Sequence, residues 1–336
     1  MKTSDIKFLP KVELHRHLEL SLRAETIKEL APSHGIEVPD EKTFKERFLI
    51  LEPMKDLASV LNKFLDTQKL LSSKEILERI TYEACEDAFN ENIKILELRY
   101  SPTFIQQGHE HLSFQDIHEA IVAGKKKAEE NFPMCIGIIC IIQRILPVKD
   151  AQKVTEFAID NKETFIGLDL ADNEVGFDSK PFAPFFQKAK EAGLGITVHS
   201  GEANVPKAPR YVMDAIEYLG ATRIGHGIQI YKNPEVMAFV AENNIVLELC
   251  PTSNWLTQAI PDLKDYPIRR LIDAGVKVTI NTDDPGIFNT NLNKEYEILV
   301  NYHQFTREEL IQLAKNAGHA SFLPPQVKNK YLDLIF

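Results

Sequence analysis

The chain has 336 residues, 44% hydrophobic and 26% charged, ordinary for a globular protein and long enough for one α/β barrel with a full core. Acidic residues outnumber basic ones by 49 to 39, a formal net charge of −10, which argues against nucleic acid or an anionic membrane as the main partner. Four cysteines (Cys85, Cys135, Cys140, Cys250) lack C-x-x-C spacing, and the first residues carry no apolar leader, so a reduced, cytoplasmic setting is expected.

Short apolar runs alternate with helical patterns along the chain. Strands are predicted at Val12–His17, Ile93–Arg99, Cys135–Ile142, Phe165–Leu170, Gly195–His199, Arg223–Gly227, Ile245–Leu249 and Val276–Asn281. Several are almost continuously apolar, as parallel strands covered on both faces should be. Between them Pro184–Gly193, Tyr211–Gly220 and Pro234–Asn244 have helical spacing, with Gly193 and Gly220 as helix stops. Eight such repeats predict a (β/α)8 TIM barrel forming a single domain over residues 1–336.

One connection is abnormally long. Between the first two strands, residues 18–92 hold several helical patterns, in which Phe44, Phe48, Leu49, Leu51, Met54, Leu57, Leu61, Phe64 and Leu65 recur at three-to-four-residue intervals. Because βα loops stand at the catalytic face, this helical insertion after the first strand is expected to form a lid and an apolar pocket wall. The plainer alternative is an amphipathic helix packed on the barrel's side. The segment from Phe305 to Phe336 reads as helical and closes the domain.

Five strand ends carry chemistry. They are Glu13-Leu14-His15-Arg16-His17, His199-Ser200-Gly201-Glu202, Gly225-His226-Gly227, Glu248-Leu249-Cys250-Pro251-Thr252-Ser253 and Asn281-Thr282-Asp283-Asp284-Pro285. On a strand, His15 and His17 share one face and Arg16 takes the other. With His199 and Asp283 they make a mixed nitrogen and oxygen set suited to a divalent metal such as zinc, which lowers the pKa of a bound water from ~15.7 toward ~7. Glu202 is placed to act as a general acid, His226 to orient the water or hold its proton, and Asp284 to meet substrate. A satisfied core histidine, a helix-start carboxylate and a turn residue before Pro285 are the bland readings of these positions. A second H-x-H, His109 and His111, follows no strand and is expected to be solvated surface. His34, His118, His303 and His319 lie in helical or loop contexts without expected function, and Cys250 is expected to pack beneath the site.

Together these strings closely resemble the adenosine/adenine deaminase family of the zinc amidohydrolase superfamily, over nearly the whole chain. The resemblance implies one Zn2+ per chain and hydrolytic deamination of a 6-aminopurine. It implies His15, His17, His199 and Asp283 as ligands, with Asp283 also the water-activating base. Glu202 would protonate the purine ring, His226 would orient the attacking oxygen, and Asp284 would bond a ring nitrogen. The purine is the expected partner, with His17, Glu19, Asp172 and Asp284 touching it.

Two departures bear on substrate. His17-Leu18-Glu19-Leu20 stands where the family shows H-L-D-G or H-L-E-G, which puts a bulky Leu20 beside the sugar subsite. Asp169-Leu170-Ala171-Asp172-Asn173-Glu174 stands where adenosine deaminases carry D-L-A-G-D-E, so Asp172 replaces a glycine whose amide meets the purine. The expected substrate is adenosine or a 5′-modified adenosine, with adenine as the alternative. A two-metal amidohydrolase would want a lysine at the fourth strand, where there is none. A cytidine-deaminase fold would want P-C-x-x-C. A non-catalytic purine-binding barrel would have lost a ligand or the acid, and every such position is filled.

Overall fold

In the computed structural model, which describes residues 3–54 and 64–335, all eight predicted strands form. They are β1 Lys11–His17, β2 Ile93–Tyr100, β3 Cys135–Gln143, β4 Phe165–Ala171, β5 Gly195–Ser200, β6 Arg223–His226, β7 Val246–Leu249 and β8 Lys277–Ile280. Each pairs with the next in parallel, in chain order, so the sheet curls into the expected barrel. Where the ends differ from expectation they do so by one residue, since apolarity marks the middle of a strand better than its last hydrogen bond.

The seam between β8 and β1 is not a regular ladder. β8 stops at Ile280, and the chain then reaches β1 through a bridge between Asp283 and Arg16. The Asp283 amide donates to the His15 carbonyl at 3.0 Å, and the His17 amide donates to the Asp283 carbonyl at 2.9 Å. β1 itself shifts register against β2 between Glu13 and Arg16. Asn281 accepts from the Leu14 amide at 2.8 Å, and Glu13 accepts from the Thr282 amide at 2.8 Å. Side chains thus complete the backbone pairing that the irregular register leaves unmade.

The C-terminal helices Arg307–Ala320 and Pro325–Leu332 bracket a plug at the other end of the barrel. Phe322 enters there, between the early residues of β4 and β5. A Cβ on Gly195 would lie 2.3 Å from the Phe322 ring, so only glycine leaves it room. Val12, Leu14, Ile95 and Cys135 form a buried cluster with Leu323 and Leu332.

Within residues 18–92 the helices include Ala24–Leu30, Glu41–Phe48, Leu65–Gln68 and Lys74–Asn90. Lys74–Asn90 packs against Phe114–Asn131 and β2 in the outer ring. Phe44 and Phe48 are buried, whereas Leu51 and Leu65 are largely exposed; Leu57 and Leu61 lie outside the described residues. The segment also crosses the mouth: the Ile50 amide donates to Ile287 at 2.9 Å and the Met54 amide to Leu256 at 2.8 Å. Leu20, Ile50, Phe64, Leu256, Ile287 and Phe288 form a separate apolar cluster there. No described helix is long and apolar enough to cross a membrane.

Candidate active site

The C-terminal ends of β1, β5 and β6 and the turn after β8 bring His15, His17, His199, His226 and Asp283 together. The His17 and His199 Nε2 atoms are 3.1 Å apart, and Asp283 Oδ1 lies 3.2 Å from both His15 Nε2 and His17 Nε2. Ligands about 2.1 Å from one central ion at tetrahedral angles stand roughly 3.4 Å from each other, so this spacing fits a first-row divalent cation.

The proton positions point the same way. His15 Nδ1 sits 2.7 Å from Glu248, and His199 Nδ1 sits 2.9 Å from Asp169. Each carboxylate fixes the ring proton on Nδ1 and turns a bare Nε2 lone pair inward. His15 Nε2 is buried without a hydrogen-bond partner, and burial holds His199 well below the usual histidine range, hence neutral. Converging lone pairs with no proton between them call for a cation.

Gly225 on β6 makes space for this cluster. A Cβ there would lie 2.9 Å from His15 Cε1 and 3.2 Å from His199 Cα. Burial would raise Asp283, but the neighbouring His15, His17 and His226 outweigh it and hold the carboxylate well below its ordinary range. Ser253 donates to its Oδ2 at 2.7 Å.

On the other side of the same space lies Glu202. Burial, reinforced by Asp283, pushes its carboxyl up to about 7. Thr257 donates to its Oε1 at 3.1 Å, and Oε2 lies 3.6 Å from His226 Nε2. Glu174 holds the turn that carries Glu202, accepting from the amides of Gly201, Glu202 and Ala203 at 2.8, 2.9 and 2.7 Å.

His226 is fixed from behind. Tyr266 donates its hydroxyl to Asn254 Oδ1 at 2.9 Å, which leaves the Asn254 amide nitrogen facing His226 Nδ1 at 3.1 Å. That nitrogen donates, so the neutral ring carries its proton on Nε2, aimed at the cavity. Asp284 Oδ1 is buried and unpartnered; burial and the charge of Asp283 push its carboxyl well above the ordinary range. Glu19 accepts from the Ser101 amide through one oxygen and leaves the other unpartnered.

These groups line a cavity of about 520 Å³ under the mouth cluster. Leu20 and Phe288 form part of its wall, Asp172 and Asn173 part of its far side, and Leu65, Ile145 and Phe177 part of its rim. Asp172 has φ +83°, a backbone region that favours glycine. Gln143 donates to its carboxylate at 3.2 Å.

A sequence model described as adenosine deaminase matches residues 10–336. The chain belongs to the adenosine deaminase family. By family it is a hydrolase of adenosine-type substrates. It is 35% identical to an adenosine deaminase of Enterococcus faecalis, over 98% of this chain and 96% of that one. Among solved structures, an adenine deaminase from Arthrobacter aurescens is similar with TM-score 0.88 and 27% identity, over 97% of this chain and 98% of the other. A zinc-bound amidohydrolase from Burkholderia ambifaria is similar with TM-score 0.89 and 27% identity, over 99% and 93%.

In this adenosine deaminase family member, all the residues singled out from the sequence border the one cavity or its metal-type cluster: His15, His17, Glu19, Asp172, His199, Glu202, His226, Asp283 and Asp284. Arg16 takes the opposite face, as expected, but is buried beside Glu13 and Glu91. Cys250 is buried beneath the site. One expectation needs correction: His109 is buried, its ring held between the carbonyls of Ile105 and Lys69, while His111 is exposed. His109 sits where the chain folds back on the insertion, a tertiary contact that a polar loop sequence does not announce. The supporting residues Asp169, Glu174, Glu248, Ser253, Asn254 and Thr257 had been given no role. A signal existed for Asp169 and Glu248, since a carboxylate inside an otherwise apolar, doubly covered strand must have a buried partner.

Proposed function

We propose that this protein is a zinc-dependent deaminase of neutral 6-aminopurine nucleosides, converting the 6-amino group to a 6-oxo group with release of ammonia. The observation that carries this reading is the facing arrangement of a four-residue metal-type cluster and a buried acid, Glu202, across one cavity. His15, His17, His199 and Asp283 would hold one zinc ion, which supplies the Lewis acidity needed to make water nucleophilic near neutral pH.

The chain's own residues then divide the proton work. Glu202, with a carboxyl pushed up to about 7, is protonated in a substantial fraction of molecules at neutral pH and gives that proton to the ring nitrogen next to C6. Protonation there makes C6 electrophilic. Asp283, held as an anion, accepts a proton from the attacking water, and the Nε2–H of His226 orients that oxygen. Asp284, held neutral by burial, donates to a second ring nitrogen. Water adds at C6, the proton taken by Asp283 passes to the 6-amino group, the C6–N6 bond breaks and ammonia leaves, and the hydroxyl proton lost as the 6-oxo group forms returns to Glu202.

The cavity supports a neutral nucleoside. No lysine or arginine is among its described lining residues, whereas Glu19, Asp172, Glu202, Asp283 and Asp284 are all carboxyl groups. A phosphate would find no cationic side chain there to receive it. Leu20 and the apolar rim of Leu65, Ile145 and Phe177 suit a 5′ end that is uncharged or alkylated, and Glu19 and Asp172 offer acceptors to ribose hydroxyls. The described part of the 18–92 insertion that crosses the mouth through Ile50 and Met54 serves as the lid. Adenine is the second reading, favoured by the likeness to the adenine deaminase from Arthrobacter aurescens; against it, a bare base leaves most of the 520 Å³ unfilled.

Ammonia release from purified protein should be measured across adenosine, 5′-methylthioadenosine, adenine and AMP. The nucleosides should exceed AMP in kcat/KM by about 100-fold or more, since an uncompensated charge in such a cavity costs several kcal/mol. AMP as the best substrate, or no ammonia from any, would overturn the reading.

A further inference from the structure

Behind the histidine cluster a run of buried charges continues down the barrel to the C-terminal plug. Glu248 Oε2 meets His15 Nδ1 at 2.7 Å and Arg99 Nη2 at 2.7 Å. Its Oε1 meets Arg223 Nε at 2.7 Å and accepts from Thr197 at 3.0 Å. Arg223 then reaches Glu97 at 2.7 Å, and Glu97 accepts from both the Ser321 hydroxyl and the Phe322 amide at 2.7 Å. The Phe322 ring lies against the Arg223 guanidinium at 3.7 Å. A side branch runs from Arg99 to Asp169 at 2.7 Å and on to His199. Glu97, Arg99, Asp169 and Glu248 are 0% exposed and Arg223 is 1% exposed.

The charges have a definite sum. Glu97, Asp169 and Glu248 against Arg99 and Arg223 leave one net negative charge, and Asp283 adds a second. In a buried interior, where charge is felt over several ångströms, that excess of negative charge favours a bound cation. A network built only to tie strands together would gain by being neutral.

We propose that Glu97, Arg223 and the plug residues Ser321 and Phe322 are positioning residues for the metal centre. Through Arg223 they orient Glu248 behind His15, and Glu97 contributes charge that balances the bound cation. The inference rests on the zinc reading above. It makes the connection between the helices Arg307–Ala320 and Pro325–Leu332, at the end of the barrel opposite the cavity, a determinant of metal retention.

The test is zinc affinity of the full-length protein by competition with a chromophoric chelator, alongside the melting temperature of the metal-free form. Glu97→Gln should weaken zinc binding by several-fold, less than the roughly 10- to 100-fold seen when the direct partner of a metal-ligating histidine is lost. The visible absorption of the cobalt-loaded protein should shift as His15 reorients. Should Glu97→Gln not fold, Ser321→Ala, which removes one donor to Glu97, should weaken binding in the same direction by a smaller factor. Unchanged zinc affinity and cobalt spectrum, with only the metal-free melting temperature lowered, would assign the network to fold stability and overturn the proposal. An unmodified protein with no zinc affinity would overturn the zinc reading as well, so the two failures are distinct.

Discussion

Glu202→Gln separates proton donation from everything else the residue does. The amide keeps the side chain's shape, and its oxygen can still accept from Thr257, the partner at 3.1 Å. The four metal-type ligands are untouched, so metal content and KM should stay near those of the parent. What disappears is a transferable proton, and general acid catalysis of this kind contributes about 10²- to 10⁴-fold, or roughly 3–5 kcal/mol. The pH dependence gives a second readout. Glu202 acts in its protonated form, and burial sets its carboxyl at about 7. Its contribution is therefore full at acidic pH and is lost as pH rises through that value. With a pKa near 7, roughly one molecule in a hundred still carries the proton two pH units higher, so the parent's kcat/KM should show an alkaline limb centred near neutrality. Glu202→Gln should lack that limb. Ammonia-release kinetics from pH 5 to 9 at fixed zinc content measure both effects. A variant within tenfold of parental kcat, or one that keeps the alkaline limb unchanged, would refute the assignment.

Glu174→Gln should lower kcat at least tenfold with little loss of zinc: a single amide oxygen cannot serve the three amides of Gly201, Glu202 and Ala203, and an orphaned buried donor costs about 1–3 kcal/mol, which displaces Glu202. Steady-state kinetics with metal analysis check it, and parental kcat would count against a positioning role. Gly225→Ala should abolish stoichiometric zinc binding, because the new Cβ meets His15 at 2.9 Å and the His199 backbone at 3.2 Å; elemental analysis of the folded variant decides. Glu295 is a pH prediction. Burial pushes its carboxyl up to about 7 from an ordinary 4.5, so the fold favours the protonated form. The stability it supports is full below about 4.5 and lost as pH rises through about 7. Glu295→Gln mimics the protonated form, so the variant's stability relative to the parent should rise between pH 5 and pH 8, by at most about 3 kcal/mol. A difference independent of pH in chemical denaturation would mean that Glu295 does not titrate in this range.

What the sequence revealed follows from which forces act locally. His15 and His17 were legible because a strand's two-residue period fixes their common face whatever the rest of the chain does. His199 and His226 were legible as the last residues of apolar runs. Asp283 was harder: it lies three residues beyond the end of β8, and only its surrounding string marked it. Glu174 could not be assigned from pattern at all. Its carboxylate reaches 27 residues along the chain to cap a turn, a contact fixed by the packing of two loops. Lys74–Asn90 was grouped with the insertion because its helical period is the same whether it packs over the mouth or in the outer ring.

The seam joins fold and chemistry in one element. β8 and β1 do not close by a continuous ladder; closure comes from the backbone of Asp283 on His15 and His17, with Asn281 and Glu13 filling the gaps. The same three residues belong to the four proposed as metal ligands. A regular strand would alternate Asp283 and its neighbours between the two faces of the barrel. Instead, at φ +64°, the chain turns the Asp283 carboxylate toward the histidines and leaves Asp284 beside the cavity. Two adjacent carboxyl groups thereby border one site with shifts in opposite directions, one lowered by the imidazoles around it and one raised by burial. The irregularity that makes this seam the least ladder-like part of the barrel is what allows consecutive residues to take those two roles.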